Sequence, residues 1–151
     1  MEISAIQKYS YKTSFQYVPV CENGLSDTFH KKINLVCKNR ELQKLIDNFN
    51  YRAAQNGFEF LNSLECVNLQ EEMRVLESRI LINSEMDKTV KADIEAYEIL
   101  MIRNIYSYCN NNNFVSAIFM CGAAHRKSII KKIEKSKTNE QVKLSWTIFE
   151  N

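Results

Sequence analysis

An uncharged run of eight residues near the C-terminus, Phe114–Cys121, constrains the fold of this chain most strongly. It reads F-V-S-A-I-F-M-C, and a short continuous apolar run rich in β-forming residues is typical of a strand buried on both faces. The residues before it have helical periodicity, and so do those around Ile129 after it. We therefore predict an α/β fold, rich in helix, in which Phe114–Cys121 is the central strand between flanking helices.

Glycine and proline are scarce in the chain, which has 151 residues but only three Gly and one Pro. This composition argues against a turn-rich all-β sandwich and against linker-like segments. The length corresponds to about one domain. We predict a single domain over residues 1–151, with poorly defined strands and loop over 1–37 and a helix–strand–helix–strand unit over 84–151.

Three helices before the central run are indicated by apolar residues spaced three and four apart. The first is predicted to begin at Asn39, a residue type that caps helices, and to end near Gly57. The second is predicted to begin at Asn68. The third is capped by Ser84 and ends at Asn110–Asn113, because asparagine competes for backbone hydrogen bonds.

Alternating apolar residues predict further strands. Residues 9–17 carry aromatic side chains at odd positions, which indicates a strand with one aromatic face. A second short strand is predicted at Ile33–Cys37, and strict alternation over 142–148 indicates a half-buried strand. A turn is predicted at 22–24.

Charge and cysteine content limit the partners and the compartment. The net charge of +2 is too small to indicate a nucleic-acid or acidic-membrane partner. No apolar run approaches the roughly 20 residues of a membrane helix, and no secretory signal is visible. The five cysteines form no C-x-x-C pair, which indicates reduced thiols. We expect a cytoplasmic protein that binds neither nucleic acid nor membrane, for which a small-molecule ligand and a homodimer both stay open.

A tight turn of small residues, Gly122-Ala123-Ala124-His125, follows the predicted strand and opens a helix. Ligands of open α/β sheets gather at the carboxyl ends of strands, and a helix N-terminus offers unpaired amide groups. Gly122 allows a close approach of the backbone, and His125 has the chemistry of a metal ligand or an acid–base catalyst. The turn predicts a ligand-binding site at Gly122, Ala123 and His125; a structural turn with a hydrogen-bonded histidine is the alternative.

Glu98 and Arg103, on the third helix, are further candidates for the site. Glu98 lies on a mostly apolar face, where burial without a partner is costly, so its alternative is a solvated position at the edge of that face. Five residues separate it from Arg103, which places the two apart around the helix. Cys121 is expected to be an inert buried thiol, and the basic residues of 126–137 are expected to form a solvated face.

Met101 and Ile105 on the long helix, the apolar run after it and the spacing of Gly122 and His125 together resemble one family. The segment is similar to the C-terminal part of the superfamily that joins TraB-type proteins, the haem-binding ChaN lipoprotein and the erythromycin esterases. The resemblance implies half of a larger α/β fold and a hydrolase-like activity that uses His125. It also implies that His125 holds a divalent metal ion or that the protein binds haem.

The chain departs from that family at two places. Complete members have an earlier G-x-x-H-type motif, whereas neither Gly24 nor Gly57 has a histidine three residues later. Members also carry an arginine one turn before the helix methionine, where Tyr97 and Glu98 stand here. We expect a non-catalytic or truncated relative that corresponds to the C-terminal half. A hydrolase-like, metal-assisted enzyme using His125 and a binder of a small ligand or haem are the two alternatives.

Overall fold

The computed structural model describes residues 15–21, 26–82, 84–136 and 144–148. This part of the chain contains five α-helices, one 3₁₀ turn and no strand. The helices are α1 (Asp27–Val36), α2 (Arg40–Leu61), α3 (Leu64–Leu81), α4 (Glu85–Asn111) and α5 (Arg126–Ser136), and the 3₁₀ turn spans Ala123–His125. None of the described helices is both long enough and apolar enough to cross a membrane.

The predicted α/β fold with a central strand at Phe114–Cys121 is wrong. These residues form no strand, and Val115, Ile118 and Met120 are 104%, 83% and 66% exposed. A strand buried on both faces needs neighbouring strands, and the described residues supply none. The unit predicted over 84–151 therefore has the helices α4 and α5 but lacks strands over its described residues.

The smaller predicted strands do not form either. Ile33–Cys37 makes the last turn and the C-cap of α1, a helix capped at its other end by Ser26, whose side chain accepts a hydrogen bond from Phe29 N at 3.2 Å. Residues 15–17 and 144–148 are described and form no strand. The rest of those two predicted strands and the turn at 22–24 lie outside the described residues.

The predicted starts of α2 and α4 are confirmed by their caps. The Asn39 side chain accepts hydrogen bonds from Glu41 N at 2.9 Å and Leu42 N at 3.0 Å. The Ser84 hydroxyl accepts one from Asp87 N at 3.3 Å. A side-chain oxygen at this position satisfies amide groups that have no partner within the helix.

Two other helix boundaries differ from their predictions. Gly57 lies at a kink inside α2 with φ 50° and ψ −125°, and the helix continues beyond it to Leu61. Ser63 caps α3 by accepting a hydrogen bond from Cys66 N at 3.1 Å, so this helix begins before the predicted Asn68. The end of α4 at Asn111 falls within the predicted asparagine run.

The core is formed between helices. α2 packs on α3, α1 contacts α3 and α4, and α5 packs on α4, while the 3₁₀ turn contacts α3 and α5. The apolar cluster between α4 and α5 consists of Met101, Ile102, Tyr106, Ile129 and Ile133. One carboxylate, that of Glu98, is buried at the same pair of helices, and it defines the site described next.

Candidate functional site

Glu98 and His125 form a hydrogen-bonded pair. Glu98 lies near the middle of α4 with its side chain 2% exposed, and its Oε1 is 2.8 Å from His125 Nδ1. His125 is the last residue of the 3₁₀ turn, and its backbone N donates to Gly122 O at 2.9 Å. The two sequence-predicted candidates, 27 residues apart, therefore meet in the structure.

The second oxygen of Glu98 is bound by two residues of α5. Ser128 Oγ donates to Glu98 Oε2 at 2.5 Å, and Lys132 Nζ donates to the same atom at 2.8 Å. Lys132 Nζ is also 2.6 Å from Glu95 Oε2 and 2.8 Å from Ser128 Oγ. We call these five residues, Glu95, Glu98, His125, Ser128 and Lys132, the Glu98 cluster.

Hydrogen bonding keeps the buried Glu98 ionised. Burial by itself raises the pKa of Glu98, but the hydrogen bonds from His125, Lys132 and Ser128 outweigh burial and lower the pKa from its usual 4.5 to about 2. An ionised carboxylate only accepts hydrogen bonds, so His125 Nδ1 carries a proton. In the neutral ring, Nε2 is then the unprotonated nitrogen.

The Nε2 side of His125 is reachable from solvent. The His125 side chain is 22% exposed, and Nε2, which has no hydrogen bond from the described residues, is not among their fully buried polar atoms. The Tyr97 ring lies against it, with centroids 5.9 Å apart. A hydrogen bond between the Tyr97 hydroxyl and Cys21, together with burial, raises the pKa of Tyr97 to about 12, so this neighbour is neutral near pH 7. Nε2 is thus available to a water molecule or a ligand.

Two arginines anchor the turn that carries His125. Arg74 of α3 donates to Ala124 O at 3.0 Å. Arg126, the first residue of α5, donates to Asn62 O at 2.7 Å, just beyond the end of α2. Charge-assisted hydrogen bonds of this kind restrain backbone position. The imidazole is therefore presented from a turn held against two helices.

Gly122 and Ala123, the other predicted ligand-binding residues, have ordinary structural surroundings. Gly122 has φ −60° and ψ 142°, a conformation open to any residue, and a Cβ there would lie 3.7 Å from His125 Cδ2, an ordinary contact. Ala123 packs against the buried cluster that contains Phe60. Neither the backbone conformation nor the available space requires glycine at residue 122.

Neither Arg103 nor Cys121 adds a reactive group to the pair of Glu98 and His125. Arg103 is exposed and has no hydrogen bond or ion pair with Glu98 in the described part of the chain. Cys121, predicted to be buried, is exposed as a residue. Partial burial of its thiol and the nearby Glu98 charge raise the pKa of Cys121, although Arg126 acts in the opposite direction. The thiol is therefore mostly protonated near pH 7 and is a poor nucleophile.

The described residues do not fit the metal ion that the family resemblance implies at His125. Nδ1 faces Glu98, which leaves Nε2 as the only ring nitrogen for coordination. Across residues 15–21, 26–82, 84–136 and 144–148, no group of three or more His, Cys, Asp or Glu side chains is arranged to hold an ion.

No protein-family model, curated protein or solved structure matches the chain. The resemblance to TraB-type proteins stays a prediction.

Sequence reasoning missed Ser128 and Lys132. They follow His125 by three and seven residues, which places all three along one face of the helix that begins at the turn. This spacing was the signal in the sequence that could have identified them. The expectation of a solvated basic face is wrong at Lys132, whose side chain is only 13% exposed. The solvated position expected for Glu98 is wrong as well, because α5 covers it.

Proposed function

We propose that the chain is a hydrolase-like enzyme in which His125 is the general base and Glu98 orients its ring. The contact of 2.8 Å between His125 Nδ1 and Glu98 Oε1 carries this proposal. It supports a ring held in one orientation, with Nε2 directed away from the carboxylate. A histidine that served only as a structural ion-pair partner would need no reachable Nε2, and this difference favours the enzyme over the non-catalytic relative.

In the first step of the proposed reaction, the oxygen of a water molecule attacks the substrate while His125 Nε2 takes a proton from that water. The ring then carries a positive charge, which the ionised Glu98 carboxylate stabilises through Nδ1–H. The ring returns the proton to the leaving group. General acid–base catalysis of this kind contributes about 10²–10⁴-fold to a rate.

Water is the proposed nucleophile because Ser128 is not placed for that role. Its hydroxyl donates to Glu98 Oε2 at 2.5 Å and accepts from Lys132 at 2.8 Å. A serine nucleophile instead has to donate its proton toward the base, which here is His125 Nε2. Ser128 therefore belongs to the support of Glu98.

The test replaces His125 with asparagine, whose amide nitrogen takes the place of Nδ1 and keeps the donor to Glu98, while Nε2 is lost. Purified wild type is assayed with p-nitrophenyl acetate, an amino-acid p-nitroanilide and p-nitrophenyl phosphate. We expect hydrolysis of at least one, and a loss of about 100-fold or more in His125→Asn with nearly unchanged melting. His30→Ala is the matched control, since His30 is the other histidine of the chain and is exposed on α1.

Two results contradict the proposal. One is equal hydrolysis by wild type and His125→Asn at equal purity. The other is a wild type that hydrolyses none of the three probes while His125→Ala loses about 1–3 kcal/mol of stability. The cluster would then only stabilise the fold.

A further inference from the structure

The Glu98 carboxylate has two candidate sources of positive charge. Its Oε1 faces His125 Nδ1, and its Oε2 accepts from Ser128 and Lys132. A carboxylate that is 2% exposed is stable as an ion only if a cation and hydrogen bonds replace its water. Either Lys132 or a protonated His125 can supply that cation.

We propose that Lys132 is a positioning residue for His125: its ammonium group supplies the positive charge that Glu98 would otherwise draw from the imidazole, so that the ring stays neutral and Nε2 stays a proton acceptor. This proposal rests on the proposed function, because it explains how His125 stays a neutral base beside the buried Glu98 carboxylate. It assigns Lys132 no contact with the substrate or with the reacting atoms.

The geometry around Lys132 supports this role. Its Nζ is fixed by contacts of 2.8 Å to Glu98, 2.8 Å to Ser128 and 2.6 Å to Glu95, and the side chain is 13% exposed. Glu95 is 59% exposed, so water compensates most of its charge. Glu98 is 2% exposed, so its charge depends on the ammonium group rather than on water.

Other groups near the ring do not supply that charge. Tyr97, which packs on the ring from α4, is neutral near pH 7, and so is the Cys121 thiol in the segment before the turn. Two arginines lie near the turn, and both have partners: Arg126 donates to Asn62 O, while Arg74 donates to Ala124 O and pairs with Glu71. Without Lys132, protonation of His125 is the nearest way to balance the buried carboxylate.

The experiment measures ring protonation directly by NMR of the ring nitrogens in the ¹⁵N-labelled full chain near pH 7. In Lys132→Gln we expect the ratio of doubly protonated to neutral His125 to rise about tenfold, the effect of losing one nearby cation. In Glu95→Gln, Lys132 loses an exposed carboxylate that shares its charge. More of that charge then acts on Glu98, so we expect the ratio to fall about two- to threefold. Lys132→Arg keeps the charge and should restore the wild-type ratio.

Lys131→Gln and Glu134→Gln are the matched controls, because both residues are exposed on α5, and neither should change the ratio. An unchanged or lower ratio in folded Lys132→Gln overturns the proposal. If that variant does not fold, Glu95→Gln decides, and an unchanged or higher ratio there overturns it.

The ring ratio needs no substrate, so the two proposals fail separately. If the ratio moves as expected, no probe is hydrolysed and His125→Ala loses stability, the role of Lys132 is supported and the hydrolase proposal is contradicted. If the ratio is unchanged in Lys132→Gln while His125→Asn loses hydrolysis, only the proposed role of Lys132 is contradicted.

Discussion

The lowered pKa of Glu98 predicts an acid-sensitive contribution to stability. A carboxyl whose folded pKa is below its unfolded value stabilises the fold above about pH 4.5, and this contribution disappears as the pH falls toward 2. We expect the stability of wild type relative to Glu98→Gln to decrease over that interval by on the order of 3 kcal/mol. Urea denaturation at pH 7, 5, 4 and 3 measures it.

Glu134→Gln is the control for this titration, because Glu134 is exposed on the covering helix α5. Its stability should follow wild type at every pH. Curves for wild type and Glu98→Gln that stay parallel down to pH 3 would show that Glu98 is not held ionised by the cluster.

The sequence predicted both members of the Glu98–His125 pair but not their contact. His125 was a candidate because of its spacing from Gly122, and Glu98 because a carboxylate lay on a mostly apolar face. The sequence did not show that they meet, since 27 residues and a change of chain direction separate them. It also placed Glu98 in solvent, because the periodicity within α4 does not show that α5 packs over this residue.

The helices were predictable where their ends depend on local chemistry. Asn39 and Ser84 satisfy amide groups within three residues of themselves, and short-range hydrogen bonding of this kind can be read directly from sequence. The strands were not predictable in the same way, because a strand exists only through a partner elsewhere in the chain. Phe114–Cys121 has the composition of a strand, yet no strand of the described residues pairs with it.

The kink in α2 depends on Gly57. Its φ of 50° and ψ of −125° lie in a region that side chains with a Cβ avoid, while a Cβ there would have no atom within 4 Å. Backbone strain is therefore the only cost of Gly57→Ala, and we expect a loss of about 1–3 kcal/mol. The free energy of unfolding in urea measures this change.

Gly122→Ala is the matched control, because residue 122 has an ordinary φ of −60° and room for a Cβ. It should change stability by less than about 0.5 kcal/mol. Gly57→Ala as stable as wild type would mean that α2 is not kinked at this residue.

The molecule as a whole is held by helix contacts, and segments without regular structure dock on them through single side chains. Phe119 and Trp146 pack edge to face with ring centroids 6.4 Å apart, beside the apolar cluster of α4 and α5. Trp146 Nε1 is 3.4 Å from the Tyr106 hydroxyl, and Asn104 Nδ2 donates to Val20 O at 2.9 Å. In Phe114–Cys121 the Phe119 ring makes such an attachment without a β-ladder, and most of the other apolar side chains of this segment are exposed.

Substitution by aspartate should have opposite effects at two isoleucines that the sequence alone does not distinguish. Ile118 is 83% exposed, so Ile118→Asp should change stability by less than about 0.5 kcal/mol. Ile129 is 3% exposed in the cluster between α4 and α5, and Ile129→Asp should prevent soluble folding. An unpaired buried carboxylate costs several kcal/mol, against a total stability of about 5–15 kcal/mol. Soluble yield and thermal melting by circular dichroism measure both. An insoluble Ile118→Asp would contradict the exposed position of Ile118, because only a covered side chain makes that substitution costly.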